Sequence, residues 1–336
     1  MDRVIELGEL RDSARRAFPA GATMSREEGW ARIVELGWLL TELPVDAGGL
    51  DLGRAAAAAI AEELGRSLAS VPLIPALLAL RALVAAGGRA DWVDRICSGA
   101  YVPLNLLPSA LEHGPDGELS GTAPGLFDAD LADHVVIGAA DACVLVPIDA
   151  PGVSLVERPL WDPGRRMFEL RLEAYRPAAA DVLADGCEAA RLCDDIARSA
   201  HLLVAADALG GAAAALDMTV DYLKVRRQYD RPLALFQALK HRCADLATHR
   251  AAAGALLWSR AADPETCAVS ELGAVKALAC SVYSEIAEEA IQLHGGIGLT
   301  VEHPCHLFLK RAMLDAVLCG DADQHYEAAG RALLAD

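Results

Sequence analysis

The sequence predicts a mostly α, α+β multidomain chain in three parts: an N-terminal helical domain over residues 1–100, a middle β domain over 101–178 and a C-terminal four-helix bundle over 179–336. Three observations carry that prediction. Helix formers at a period near 3.6 fill the first hundred residues and the chain beyond Asp185-Gly186. Between Tyr101 and Pro177, short apolar runs alternate with turn residues, the texture of a compact all-β segment. The last third holds long stretches without proline, each sufficient for a helix that crosses a domain. With 336 residues, 54% of them apolar, the chain has the length for two or three domains and a sizeable core.

In the first part, Arg26 to Leu36 places Trp30, Ile33, Val34 and Leu36 near a helical period. Ser25 is its N-cap, with Glu28 three residues on as the reciprocal partner of a capping box. The loop Leu43 to Leu50 follows, then an almost pure run of helix formers from Arg54 to Gly65. Leu73 to Ala86 makes another helix, set off by Pro72 and Pro75 and closed by Gly87-Gly88.

The middle part offers five apolar runs as strands: Tyr101–Leu107, His134–Gly138, Cys143–Pro147, Val153–Val156 and Met167–Leu172. The last alternates and reads as half-exposed. Pro115-Asp116-Gly117 and Asp149 to Gly152 are turn signals. In the third part, Glu188 to about Val225 is the longest helical signal, with Gly210-Gly211 as the place where it would bend. Leu235 to Trp258 follows with i, i+3, i+4 spacing, Asp263-Pro264-Glu265 turns the chain, and Val269 to His294 is a third long helix. A further helical run reaches Leu318, so about four long antiparallel helices form a bundle.

A formal charge of -18 argues against nucleic acid and acidic membrane surfaces as partners, since both would repel most of the surface. The nine cysteines are scattered, odd in number and without a C-x-x-C pair, as in a reduced intracellular protein that uses thiols as small hydrophobes. His303 and His306 lack the further ligands a zinc site needs. Met1 to Glu6 shows no signal-peptide pattern, and no uninterrupted apolar run approaches the roughly 20 residues that span a bilayer. The expected location is cytoplasmic.

Two stretches concentrate chemistry. Lys224-Val225-Arg226-Arg227-Gln228-Tyr229-Asp230-Arg231-Pro232, running on to Phe236-Gln237 and His241, is a knot of positive charge in an acidic chain. Basic residues there offset a helix dipole, or form a phosphate site in which arginine forks match phosphate oxygens. Downstream, a helix from Ile286 stops at Gln292-Leu293-His294-Gly295-Gly296-Ile297-Gly298, then Thr300, Glu302 and Pro304. The Gly-Gly pair closes a helix, or bares backbone for another molecule to approach.

Together, R-x-Q-Y-x-x-P-L-x-x-F-Q-x-x-x-H-x-x-A-D from Arg226, Q-x-H-G-G-I-G-x-T-x-E-x-P from Gln292 and the Lys310-Arg311-Ala312 triplet resemble the acyl-CoA dehydrogenase family. Gly37-Trp38 with Glu42-Leu43-Pro44 and Gly48-Gly49 fits that family's N-terminal domain. The resemblance implies an oxidoreductase: FAD-dependent α,β-desaturation of an acyl-CoA thioester, with electron-transfer flavoprotein as acceptor. It also implies paired subunits in which one chain's C-terminal helices reach the neighbour's FAD. Carried over, Arg226, Gln228 and Tyr229 match contacts to the neighbour's pyrophosphate and adenine end, and Gln237 a further nucleotide contact. Gln292, Gly295 and Gly296 match the backbone that lies against the same cofactor.

The chain departs from the family at the catalytic base, for which the chemistry needs a positioned carboxylate. In most of the family it is a Glu shortly after the K-R-A triplet; here Cys319 stands there, within Val317-Leu318-Cys319-Gly320-Asp321. A thiol with a reference pKa of about 8.5 is no ready base. The family's alternative position, on the long helix before the arginine motif, falls near Ala200, and neither Glu188 nor Asp207 on that helix has the register to replace it. The two middle-domain segments that pack on the flavin are missing; Leu107-Pro108-Ser109-Ala110 and Gly125 to Asp130 occupy roughly those places, and Asp321 and Asp323 would repel a pyrophosphate. The chain's own flavin site thus reads as degraded and its half of the neighbour's site as intact. The expectation is a base-lacking subunit, resembling those of actinobacterial heteromers acting on steroid or other bulky acyl-CoA thioesters, in a heterotetramer with a full-length acyl-CoA dehydrogenase. Two alternatives stand beside it: a self-sufficient homo-oligomer whose base is an unrecognised residue such as Asp321 or Glu302, and a non-enzymatic acyl-CoA-binding or scaffold protein.

Overall fold

The computed structural model describes residues 7–21, 24–87, 89–114, 117–139 and 141–335. The N-terminal hexapeptide scanned for a leader, Gly88, and Pro115-Asp116 of one expected turn lie outside them. Five helices open the chain: α1 (Leu7–Ala17), α2 (Arg26–Glu35), α3 (Gly53–Ser67), α4 (Leu73–Ala85) and α5 (Ala90–Cys97). The capping box of α2 is in place. The Glu28 N–H donates to Ser25 Oγ at 3.1 Å, and the Ser25 N–H donates to the Glu28 carboxylate at 2.9 Å.

The middle part is two antiparallel sheets packed face to face. One has the order β1 (Ala110–His113), β2 (Leu119–Phe127), β6 (Met167–Tyr175), β5 (Val153–Arg158); the other runs β3 (His134–Ala139), β4 (Ala142–Pro147), β7 (Val182–Asp185). Why β3 and β4 read as solid apolar runs is now clear. Val135, Ile137, Val144 and Val146 face the core between the sheets, while Val136, Cys143 and Leu145 join the helical core on the other side. A strand buried on both faces loses the polar-apolar alternation. The stretch Tyr101–Leu107 forms no strand, contrary to its composition: Leu104 donates to Pro75 O at 3.0 Å and Leu106 to Gly125 O at 3.0 Å, and Val136 donates to Pro103 O at 2.8 Å. Its backbone groups are shared among three elements, leaving only an isolated bridge at Leu104. β1, β2 and β7 had no signal in the apolar pattern, and β7 follows position 178 yet pairs with β4.

The chain then enters α6 (Gly186–Val225), a two-stranded hairpin β8 (Arg227–Gln228) and β9 (Arg231–Pro232), α7 (Gln237–Ala261), α8 (Val269–His294), α9 (Cys305–Val317) and α10 (Ala322–Ala335). α6 passes Gly210-Gly211 unbroken. A Cβ on Gly210 would overlap the Glu62 carbonyl and one on Gly211 the Tyr283 ring, so this pair lets α6 sit directly against α3 and α8. Gly65 does the same from α3, against the backbone of Asp207. α6 is long and apolar enough to cross a membrane, but 78% of its apolar window is buried, so it serves here as the central core helix. The β segment is tied to the bundle by buried charges: Arg311 Nε donates to Asp162 Oδ2 at 2.5 Å, and Arg165 lies 3.8 Å from Asp207. Burial and the nearby Asp207 push the Asp315 carboxyl in this cluster well above the usual range.

Candidate functional site

The residues singled out in the sequence fall into two places. The first is a rim at one end of the bundle, where α6 and α8 both stop. Arg226 caps α6, its N–H donating to Tyr222 O at 2.9 Å. The chain then reverses through Tyr229-Asp230, both at positive φ (51° and 60°), the primed turn that suits a two-residue hairpin. Such turns favour Asn-Gly; a tyrosine held there is backbone strain. Leu233 N–H donating to Arg226 O at 2.8 Å closes the hairpin, and the Tyr229 ring, 87% exposed, stands over it. Arg231 stacks on Phe236 at 3.9 Å, and the Gln237 amide sits 2.8 Å from His241 Nε2.

The glycine stretch lies on the same rim. α8 ends at His294, and Gly295 turns out with φ 65° and ψ -142°, a combination open to glycine and costly for other residues. Space beside Gly295 and Gly296 is open, with no atom within 4 Å of where a Cβ would stand. Gly298 differs: a Cβ there would press on Ile291 O at 2.9 Å, so it serves the turn itself. Arg226, Gln228, Tyr229, Gln237, Gln292, Gly295 and Gly296 are all exposed. The side chains of Arg226, Gln228 and Gln292 make no hydrogen bond or ion pair with any described residue. Around them stand apolar side chains in solvent: Val225 at 74%, Leu299 at 74% and Val301 at 89% exposed. Bare backbone, unpaired guanidinium and exposed apolar surface together suit an anionic ligand held against a second protein surface.

The second place is a cavity of about 410 Å³ between α4, α6 and the β segment. Ala200 and Cys319, the two positions where the family's base was sought, both line it. None of the described residues lining it is Asp or Glu. The Cys319 thiol, half-buried in the wall, is pushed up to about 12 by loss of solvent and is protonated at neutral pH. Other carboxylates are engaged elsewhere. Asp321 caps α10, accepting from the Gln324 N–H at 2.9 Å, and with Asp323 faces a separate groove between α8 and the α9–α10 turn. Glu302 is exposed on the glycine rim, Glu188 is exposed beyond α4, and Asp207 belongs to the buried charge cluster.

Polar groups around this cavity are bonded to one another. Asn105 Nδ2 donates to Leu107 O at 2.8 Å and to Ser109 Oγ at 3.1 Å, while its Oδ1 accepts the Gly138 N–H at 2.8 Å. Cys319 N–H donates to Leu106 O at 2.7 Å and Cys193 Sγ to Ala139 O at 3.1 Å. Leu107, Pro108 and Ser109 line the cavity, but Ala110 and Gly125 to Asp130 do not: Asp128 and Asp130 instead bind Arg26, each at 2.8 Å. Sequence reasoning passed over Asn105, His201 and Lys276. Their signal was a polar residue inside an apolar helical or extended run, which burial makes meaningful. His201 in the cavity wall is held at about 3, first by burial and then by His325 stacked edge-on at 4.7 Å. Lys276 donates to Ala316 O at 3.0 Å and Gly320 O at 2.6 Å, pinning the turn that carries Cys319.

The family model described as "Acyl-CoA dehydrogenase, N-terminal domain" matches residues 8–100, and "Acyl-CoA dehydrogenase, C-terminal domain" matches 189–334. The chain is similar to "Acyl-CoA dehydrogenase IpdE2" of Mycobacterium tuberculosis, 35% identical across 89% of this chain and 86% of that protein. Among solved structures, "Tcur3481-Tcur3483 steroid ACAD G363A variant" superposes with a TM-score of 0.87 at 27% identity, covering 98% of each chain. The ChsE4-ChsE5 complex from Mycobacterium tuberculosis shares the fold, with a TM-score of 0.83 at 24% identity over 100% of both chains.

Proposed function

The chain belongs to the acyl-CoA dehydrogenase family, and on that premise we propose that it is the base-lacking subunit of a heteromeric, FAD-dependent enzyme. It completes the cofactor site of a carboxylate-bearing partner that desaturates an acyl-CoA thioester. One observation carries the reading: the side chains of Arg226, Gln228 and Gln292 are unpaired beside the open space at Gly295 and Gly296, while the cavity that holds Ala200 and Cys319 has no carboxylate among its described lining residues.

The groups present on the rim suit FAD. Arg226 would neutralise pyrophosphate charge, Gln228 and Gln237 would supply hydrogen bonds, and Tyr229 a flat apolar face at the adenine end. The backbone at Gly295 and Gly296 admits close approach with no side chain in the way. When bound, FAD accepts the hydride that leaves the substrate's β-carbon. This chain's task is to bind and orient: it moves no proton, because Cys319 and Ala200 have nothing to accept one. Exposed Val225, Leu299 and Val301 would dry the rim against the partner, strengthening each charge contact. The likeness to a solved structure described as a steroid ACAD supports a bulky acyl group as substrate. We further infer electron-transfer flavoprotein as acceptor, a heterotetramer and a cytoplasmic location.

Purified alone, the chain is expected to carry little flavin; assembled with a full-length dehydrogenase subunit, it is expected to hold FAD in a manner that Arg226→Ala weakens. A chain that is yellow alone, with near-stoichiometric FAD, and that dehydrogenates an acyl-CoA unaided, sinks the proposal.

A further inference from the structure

We propose that Tyr222 is a positioning residue for the cofactor: it fixes the arginine hairpin and the glycine turn into one surface. This rests on the reading that these two segments hold a partner's FAD. They leave different helices, α6 and α8, which pack directly on one another, and a contact at their shared end would fix how the two segments sit.

Tyr222 is bonded to both. Its backbone carbonyl accepts the Arg226 N–H at 2.9 Å, holding the start of the hairpin. Its hydroxyl donates to His294 O at 3.3 Å, the carbonyl of the peptide that leads into Gly295. Its ring stacks on the His294 imidazole with centroids 4.4 Å apart and planes 27° from parallel. His294 cannot drift: it is 3% exposed, its Nδ1 lies 2.7 Å from Ala290 O, and His303 packs on it at 4.4 Å. Gly295 is the joint: its N–H still donates to Gln292 O and Ile291 O, and its positive φ, open to glycine, then turns the chain out of α8. The Tyr222 hydroxyl restrains the peptide leading into Gly295, and the stacked ring holds the helix ends at one separation. At 3.3 Å the hydrogen bond is long, so the stack should contribute more than the hydroxyl.

The test uses the assembled complex with a flavin-bearing subunit, following FAD release by the rise in flavin fluorescence and amide exchange at residues 295–298 in the FAD-stripped complex. Tyr222→Leu should speed release about tenfold, and Tyr222→Phe about two- to threefold because the stack survives. Exchange should rise in the same order. Arg226→Ala should speed release with exchange unchanged. Urea midpoints are followed in parallel, because a role confined to stability lowers the midpoint and leaves FAD release alone. Wild-type release and exchange in both tyrosine variants, or in Tyr222→Phe should the leucine variant not fold, overturn the inference. Wild-type release in Arg226→Ala overturns the subunit reading instead.

Discussion

His201→Gln should remove a specific part of the protein's sensitivity to acid. His201 is 5% exposed in the wall of the cavity, stacked on His325, with the Lys276 ammonium in the same layer. Burial first, then these two neighbours, hold the imidazole at about 3, against 6.5 for an ordinary histidine. Between those values the unfolded chain takes up a proton that the folded chain refuses, so stability is full above about 6.5 and falls as pH drops below it. At pH 5.0, about 1.5 pH units below the unfolded value, the penalty is about 2 kcal/mol, taking about 1.36 kcal/mol per unit. Glutamine keeps a polar side chain there but does not titrate. Urea unfolding at pH 7.5 and 5.0 is the assay. The wild type should lose about 2 kcal/mol more than the variant across that interval, whatever the variant's stability at pH 7.5. Equal losses in the two proteins would refute the argument that this imidazole is buried neutral.

Other consequences are equally direct. Gly210→Ala should destabilise by about 1–3 kcal/mol despite alanine's better helix propensity, because the methyl meets the Glu62 backbone, which has no rotamer to move; thermal unfolding measures it. Arg311→Leu removes the ion-pair partner of buried Asp162 and should cost about 3–5 kcal/mol in urea, with Asp162→Ala in the same background restoring part of it. Gly295→Ala meets no neighbour within this chain, so its cost is about 1–3 kcal/mol of backbone strain, yet it should lower FAD retention in the assembled complex more than Gly298→Ala does.

Much of the fold was written locally. Ser25 with Glu28, the long run ending at His294, and Pro72 just ahead of α4 with Pro75 in its first turn are signals that act over a few residues, and each appeared where the sequence put it. Tyr101–Leu107 failed because strand propensity says nothing about whether a partner strand is available, and here three elements compete for its backbone. Gly210-Gly211 was legible as an anomaly but not in meaning: a bend and a close helix crossing look alike until the crossing helix is placed.

The candidate site divides along the same line. The sequence by itself determined which residues stand on the rim, Arg226, Gln228, Tyr229, Gln292 and the two glycines, because they form short contiguous motifs. It also showed that neither Cys319 nor Ala200 carries a carboxylate; that burial pushes the Cys319 thiol up rather than down came from the structure. Only the tertiary structure decided that those two face one cavity, that Asp321 and Glu302 face elsewhere, and that Asn105 bonds the cleft across positions some thirty residues apart. It alone joined the two rim segments through Tyr222 and His294, 72 residues apart in the chain. Local chemistry is fixed by residue type and spacing; which groups share a space depends on how distant helices pack, and packing is a property of the whole core.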